Sequence, residues 1–208
     1  MTIELIHGDC MEYMRGLQDN AFELAIVDPP YGIGNWVQTS GNVRGKPVTW
    51  NDKTPEPEYF KQLLRVSKEQ IIWGANYYNQ FNQRGGAIVW NKHVPRESNM
   101  SVCEIASYSR LKRVDYIDLI WQNINRNETV IHECQKPVKL YQILLQRYAK
   151  PGDKILDTHL GSGSSAIAAY YAGHDFVGLE MDKDYFDGAS ERFKECTRQI
   201  DIFAEPEQ

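Results

Sequence analysis

Asp28-Pro29-Pro30-Tyr31 follows the apolar run Leu24-Ala25-Ile26-Val27 and leads into Gly32-Ile33-Gly34. Each proline fixes its φ and gives up its backbone donor while keeping its carbonyl. The corner therefore offers two acceptors, the Asp28 carboxylate and the Pro29 carbonyl, beside the flat ring of Tyr31. This is a socket for a planar amine. The exocyclic amine of a nucleobase carries two N–H donors and a lone pair delocalised into its ring. Two fixed acceptors would hold the donors and let the lone pair point elsewhere, with Tyr31 stacked on the base. X-Pro-Pro-Tyr also occurs as a polyproline-like connector. Its place at the exit of a strand, where open α/β sheets bind ligands, favours the socket.

A second constellation lies in the carboxyl third, where Asp157-Thr158-His159-Leu160-Gly161-Ser162-Gly163 precedes a run of small residues and Glu180-Met181-Asp182 follows another apolar stretch. Gly161 and Gly163 let the backbone pass close to a ligand, and the helix after them presents unpaired N–H groups. Glu180 stands 17 residues beyond Gly163, the place from which a carboxylate can take both hydroxyls of a ribose. Position 166 is Ala, a tolerated substitute for the third glycine of G-x-G-x-x-G, so the loop alone leaves a dinucleotide open. Asp157, Glu180 and Asp9 together put several carboxylates around one pocket, which would repel a pyrophosphate and suit a sulfonium or an ammonium. The same acids could instead cap helices and strands.

The elements that must carry these groups alternate. A strand over Ile3 to Ile6 runs into His7-Gly8-Asp9-Cys10, a short helix over Met11 to Leu17 follows, and the strand Leu24 to Val27 delivers the socket. Residues 32–56 are rich in Gly, Asn, Thr and Pro, contain Trp36 and Trp50, and show no period. A loop of that length is expected to be mobile in the free protein. The pattern then predicts a helix over Glu58 to Val66, a strand over Gln70 to Trp73, a helix over Ala75 to Phe81, a strand over Ala87 to Trp90, and strands at 102–108 and 114–121, with 122–134 irregular. A helix over Val138 to Ala149 stops at Lys150-Pro151-Gly152-Asp153 and gives way to the strand Lys154 to Asp157. A helix through Ala172, a strand over Phe176 to Leu179 and a last helix over Tyr185 to Glu195 complete a βαβ unit with a glycine-rich turn. Residues 197–208 read as a loose acidic tail.

A length of 208 residues, with 42% hydrophobic and 25% charged, suits one domain, 1–208. No stretch approaches the roughly 20 apolar residues that span a bilayer, and Met1-Thr2-Ile3-Glu4 lacks a signal-peptide pattern, so a cytoplasmic protein is expected. Cys10, Cys103, Cys134 and Cys196 form no C-x-x-C pair, the histidines show no ligand spacing, and no metal is expected. The net charge of −5 argues against indiscriminate coating of nucleic acid. It leaves room for a local basic face, because charges beyond roughly 8–10 Å are screened from one another at physiological salt. Candidates are Arg44 and Lys46, then Lys92, His93 and Arg96, then Arg110, Lys112 and Arg113; each could equally be ordinary solvated surface.

Taken together, Asp28 to Tyr31, the Asp157-to-Gly163 turn, Glu180 and Gln135-Lys136-Pro137 resemble the S-adenosylmethionine-dependent amino-methyltransferases of DNA, in the permuted order that puts the catalytic motif before the cofactor motif. The resemblance covers about residues 3–31 and 132–193 and is looser between them. It implies a three-layer, Rossmann-like α/β fold with a mostly parallel sheet. It implies that Asp28, Pro29, Pro30 and Tyr31 hold the target amine, that Asp157, Gly161 and Gly163 line the methionine end of the cofactor, and that Glu180 holds its ribose. Asp9 and Cys10 would flank the cofactor adenine, Lys136 and Pro137 would close over the cofactor, and Leu160, Ser162 and Met181 would line the same pocket. Where the family usually has proline and phenylalanine after the aspartate of the turn, this chain has Thr158 and His159; His159 would either stack on the cofactor or only pack the turn.

The expected function is transfer of a methyl group from S-adenosylmethionine to the N6 amine of adenine in a flipped DNA base. Aspartate at position 28 favours adenine, since the cytosine-directed relatives more often carry serine there. Arg44, Lys46, Lys92 and Arg96 are the expected DNA contacts. Only 32–56 and 91–135 remain for reading sequence, which implies a short recognition site or a homodimer that shares the task. Alternatives are an amino-methyltransferase of cytosine, RNA or a protein amide, or a silent nucleic-acid or nucleotide binder on the same fold.

Overall fold

In a computed structural model of the chain, residues 1–34, 51–81, 85–98, 100–121 and 130–201 are described. Among these residues, eight strands, β1 (Ile3–His7), β2 (Phe22–Val27), β3 (Ser67–Trp73), β4 (Ala87–Asn91), β5 (Cys103–Tyr108), β6 (Val114–Asp118), β7 (Lys154–Asp157) and β8 (Asp175–Glu180), form one sheet in the order β1-β8-β7-β2-β3-β5-β4-β6. All neighbours are parallel except at β5, which runs antiparallel to both β3 and β4. Six helices accompany them: α1 (Cys10–Arg15), α2 (Pro57–Val66), α3 (Ala75–Tyr78), α4 (Val138–Tyr148), α5 (Ser164–Ala172) and α6 (Lys183–Asp201). No helix is long and apolar enough to cross a membrane among the described residues.

The central strands read as continuous apolar runs because both faces of the sheet are covered. Leu24 and Ile26 of β2 pack with Leu140, Leu144 and the alanines of α5, while Ala25 and Val27 pack with Met14 of α1 and Leu63 of α2. Successive side chains of a strand point to opposite faces, so one short segment feeds both cores. The result is the three-layer α/β arrangement that the family resemblance implied, with strands and helices alternating as the pattern predicted.

Several boundaries differ from the sequence pattern. β3 begins at Ser67, directly after α2, because the Ser67 hydroxyl donates to the Leu63 carbonyl (2.6 Å) and ends the helix without a loop. α3 stops at Tyr78 and not near Phe81, since Asn79 takes a left-handed φ of 55°. α6 runs on to Asp201, into the segment expected to be a loose tail.

The topology fixes the site. β1, β8, β7, β2 and β3 are parallel neighbours, so Asp9, Glu180, Asp157, Asp28 and Gly74 are delivered along one rim of the sheet. The chain winds outward in opposite senses from β2 and β7, which makes the gap between them a switch point where α/β sheets bind ligands. Reversal of β5 brings its first residues to the same rim: Glu104 pairs with Trp90 and Cys103 with Asn91, at the exit of β4.

Candidate active site

Asn51 and Tyr78 fix the Asp28-to-Tyr31 corner. The Asn51 side-chain oxygen accepts from the backbone N–H groups of Tyr31 (2.7 Å) and Gly32 (3.2 Å), and the Tyr78 hydroxyl donates to the carbonyls of Pro29 (2.5 Å) and Pro30 (3.0 Å). Two prolines cannot donate, so the corner depends on these outside partners. The Tyr31 ring stacks on Tyr77, with centroids 4.8 Å apart and planes at 16°, and its hydroxyl turns inward to donate to Asp28 Oδ1 at 2.6 Å. Gly74 makes room for it. A Cβ there would lie 2.3 Å from the Tyr31 ring, and its φ of +72° favours glycine on its own account. Tyr31 was expected to lie open for a base; in this conformation Tyr77 covers one ring face and the hydroxyl sits on an Asp28 oxygen that an amine would use.

Beneath the corner lies a network of four charges, two buried lysines and two part-buried carboxylates. Lys136 Nζ contacts Asp28 Oδ2, Glu104 Oε2 (2.9 Å) and the Tyr31 hydroxyl (3.3 Å); Lys92 Nζ contacts Glu104 Oε1 (2.9 Å). Burial pushes the Asp28 carboxyl above the usual range, and Lys136 offsets only part of that shift. Burial acts on Glu104 in the same direction, but Lys136 and Lys92 together outweigh it and hold this carboxyl down to about 2. Burial alone would lower Lys136, yet Asp28 and Glu104 raise it above the usual lysine value. Both lysines depart from expectation. Lys136, assigned to the cofactor, points to the amine socket because the two carboxylates lie there. Lys92, assigned to phosphate on the surface, is only 7% exposed and forms part of the cavity wall.

The cofactor half is built on the rim of β7, β8 and β1. Glu180 accepts from the N–H groups of Gly161 and Asp182, each at 2.9 Å, which ties the glycine turn to the end of β8, and burial raises its carboxyl. Gly161 has a φ of +52° and faces the ring of His132, which packs on Tyr185 with centroids 4.4 Å apart. Asp9 caps α1 by accepting from Met11 N–H (2.7 Å), and the adjacent Cys10 thiol is pushed up to about 12 by burial. Leu160 and Ser162 also line the cavity, and Met181, 70% exposed, stands at its mouth.

Three assigned residues stand behind the wall and not on it. Asp157 accepts from Ser165 Oγ (2.6 Å) and His159 N–H (3.0 Å), and burial raises its carboxyl to about 7. Gly163 packs against Ala189, where a Cβ would come within 3.3 Å, and Pro137 precedes α4 as its cap. They shape the turn and the helix start. His159 lines the cavity beside Thr158, its Nδ1 2.9 Å from the threonine hydroxyl and its ring edge-on to Tyr59; burial lowers it to about 4, so it is neutral at physiological pH.

Both halves open into one cavity of about 540 Å³. Asp28, Tyr31, Tyr77, Trp90 and Trp121 line one side, and His159, Gly161 and Glu180 the other. An amine bound at Asp28 and a nucleoside bound at Glu180 would thus share a single space. No group of three or more His, Cys, Asp and Glu residues is placed to hold a metal ion among the described residues. Arg96 is exposed in a turn after β4, whereas Arg44, Lys46, Trp36 and Trp50 lie outside the described residues. Glu104, Asn51, Gly74, Tyr77 and Tyr78 line or shape the site, and the sequence pattern did not single them out. Gly74-Ala75-Asn76-Tyr77-Tyr78 after an apolar strand was a usable signal; Glu104 carried none, since it is one acid in a strand far from every motif.

Residues 37–191 match the family model described as DNA methylase, of the N6/N4 methyltransferase type. The methylase YubD of Escherichia coli K12 is 24% identical over 216 residues, spanning 94% of this chain and 92% of that one. Among solved structures, the M1.HpyAVI complex with S-adenosylmethionine superposes with a TM-score of 0.61 at 21% identity, covering 92% of this chain and all of that one. The cytosine-N4-specific PvuII DNA methyltransferase gives 0.67 at 12% identity, over 97% and 92% of the two chains. At these identities the likeness is one of fold.

Proposed function

The chain belongs to the N6/N4 family of DNA methylases, and we propose that it transfers a methyl group from S-adenosylmethionine to the N6 amine of adenine in DNA. The observation that carries this reading is the shared cavity, with Asp28 on one wall and the Gly161–Glu180 pair on the other. The residues present fit the cofactor: Glu180 is a part-buried carboxylate suited to a ribose diol, Gly161 leaves the turn without a side chain, and several acids favour a cationic ligand. When bound, S-adenosylmethionine supplies an electrophilic methyl on a sulfonium.

This chain's part is to hold and orient. A flipped base places its amine at Asp28 and displaces the Tyr31 hydroxyl from Oδ1, exchanging one donor for another. The Pro29 carbonyl keeps a lone pair for the second N–H, since a carbonyl has two and Tyr78 uses one. With both hydrogens held, the nitrogen lone pair is turned toward the Gly161 side of the cavity. Orientation of two bound reactants and a fixed negative charge beside the nitrogen that turns cationic are the main sources of rate. The nitrogen then sheds one proton, for which Asp28 Oδ1 is the nearest acceptor. Flipping costs a few kcal/mol, which stacking in the aromatic-lined cavity offsets.

Aspartate at position 28 supports adenine over cytosine, while the likeness to the cytosine-N4-specific PvuII enzyme keeps cytosine N4 as the second reading. Long-read sequencing of DNA from a methylation-free host expressing the chain tests both. N6-methyladenine at a defined motif is the expected result, and N4-methylcytosine would replace it. Unmodified DNA, together with tight binding of S-adenosylmethionine by the purified protein, would leave only a silent binder.

A further inference from the structure

Amine methylation moves a positive charge from the sulfonium to the nitrogen that Asp28 holds. That charge arrives beside Lys136, whose ammonium already contacts Asp28. Without a further anion, Lys136 and Lys92 together would outweigh the Asp28 carboxylate when its field is needed. Glu104 removes the conflict by geometry. It is a part-buried carboxylate with one oxygen on each of two lysines, Oε2 on Lys136 and Oε1 on Lys92, both at 2.9 Å. Two carboxylates and two ammoniums make the network neutral as a whole. Every link is shielded: the side chains of Lys136 and Lys92 are 5% and 9% exposed, and that of Glu104 is 19%.

The placement is a product of the fold. β5 alone runs against its neighbours, and only that reversal sets Glu104 across from Trp90, next to Lys92 at the exit of β4. We propose that Glu104 is a positioning residue for methyl transfer: by sharing Lys136 with Asp28 and pairing Lys92, it balances the two lysine charges so that Asp28 keeps its negative field toward the reacting amine. Glu104 acts through Lys136 and needs no contact with the base. Lys92 in turn keeps Glu104 from carrying an excess negative charge in the cavity wall. The inference rests on the reading of this cavity as an amine-methylating site.

The test compares wild type, Glu104→Gln, Lys92→Met/Glu104→Gln and Glu104→Asp. Labelled methyl incorporation into unmethylated genomic DNA gives kcat and KM, and calorimetry gives S-adenosylmethionine binding. Glu104→Gln leaves two buried ammoniums against one carboxylate and is expected to lower kcat roughly 10- to 100-fold, with both KM values and cofactor affinity within about threefold of wild type. The double variant removes more of the wall but restores neutrality, so its kcat is expected to exceed that of Glu104→Gln; Glu104→Asp, which keeps the charge, should stay within a few-fold of wild type. Packing alone predicts the reverse order. A double variant no better than Glu104→Gln, or near-normal kcat in Glu104→Gln, overturns the proposal. If Glu104→Gln does not fold, the neutral double variant is read against wild type: kcat within about tenfold supports the proposal and background activity overturns it. A wild-type protein that methylates no DNA would instead defeat the functional reading beneath it.

Discussion

Asp28→Ala is expected to abolish methyl transfer while leaving cofactor binding nearly intact. The substitution removes two contacts, the Tyr31 hydroxyl at 2.6 Å on Oδ1 and Lys136 on Oδ2. Hydrogen bonds to a charged group contribute about 1.5–3 kcal/mol each, and they are not additive. Two features of the site reduce the cost. Lys136 keeps Glu104 at 2.9 Å and is not stranded as a bare buried cation, and the burial that raises the Asp28 carboxyl shows that ionised Asp28 is itself partly unfavourable in the fold. A net loss of about 1–3 kcal/mol follows, equivalent to roughly 2–12 °C in Tm for a chain of this size. The kinetic effect is far larger. With the acceptor gone, the amine is neither oriented nor electrostatically favoured, and a loss of at least about 10³ in kcat, or roughly 4 kcal/mol, is expected. Asp28 sits on the wall opposite Gly161 and Glu180, so the calorimetric Kd for S-adenosylmethionine should change by less than about threefold. Thermal melting, calorimetry and labelled-methyl incorporation on one preparation separate the three effects. Turnover within tenfold of wild type in a folded Asp28→Ala protein would refute the reasoning, because the acceptor assigned to the amine would then be dispensable.

Glu180→Ala removes an acceptor of two backbone N–H groups as well as the proposed partner of the ribose, and should weaken S-adenosylmethionine binding by about 1–3 kcal/mol; an unchanged Kd would mean that the ribose lies elsewhere. Asp157 is a carboxyl whose value is raised in the fold to about 7, so its protonated form favours folding and the free protein should lose stability as pH rises from about 4 to 7. Asp157→Asn should flatten that part of the urea-unfolding pH profile, and a profile that keeps its slope would contradict the assignment. Gly74→Ala forces a Cβ to within 2.3 Å of the Tyr31 ring at a φ of +72°, and a combined cost of about 2–4 kcal/mol with loss of kcat is expected from thermal melting and turnover. Arg44→Ala/Lys46→Ala, which lies outside the described residues, should weaken DNA binding about equally for all sequences and reduce the salt slope by about 1 per charge removed; a sequence-selective loss in binding titrations would point to base contacts instead.

Local chemistry makes the two halves of the site legible in the amino-acid sequence. An apolar run ending in Asp28-Pro29-Pro30-Tyr31 describes a strand buried on both faces and its stiff exit, and Gly161 with Glu180 describes a βαβ unit, because those features depend on residues a few positions apart. The family resemblance puts Lys136 over the cofactor and the local pattern puts Lys92 on a basic surface, since a lysine in sequence shows a charge but not the carboxylate it will meet. That choice belongs to tertiary structure. Asp28 and Lys136 meet from β2 and the start of α4, and Glu104 joins them only because β5 reverses between β3 and β4. Tyr31 likewise lies inward because Gly74, at the end of a different strand, leaves room for its ring. Strand order and direction are set by the burial of whole faces and not by local pattern, so the chain alone determined which groups can do the chemistry, and the pairing of distant strands decided which charges surround them.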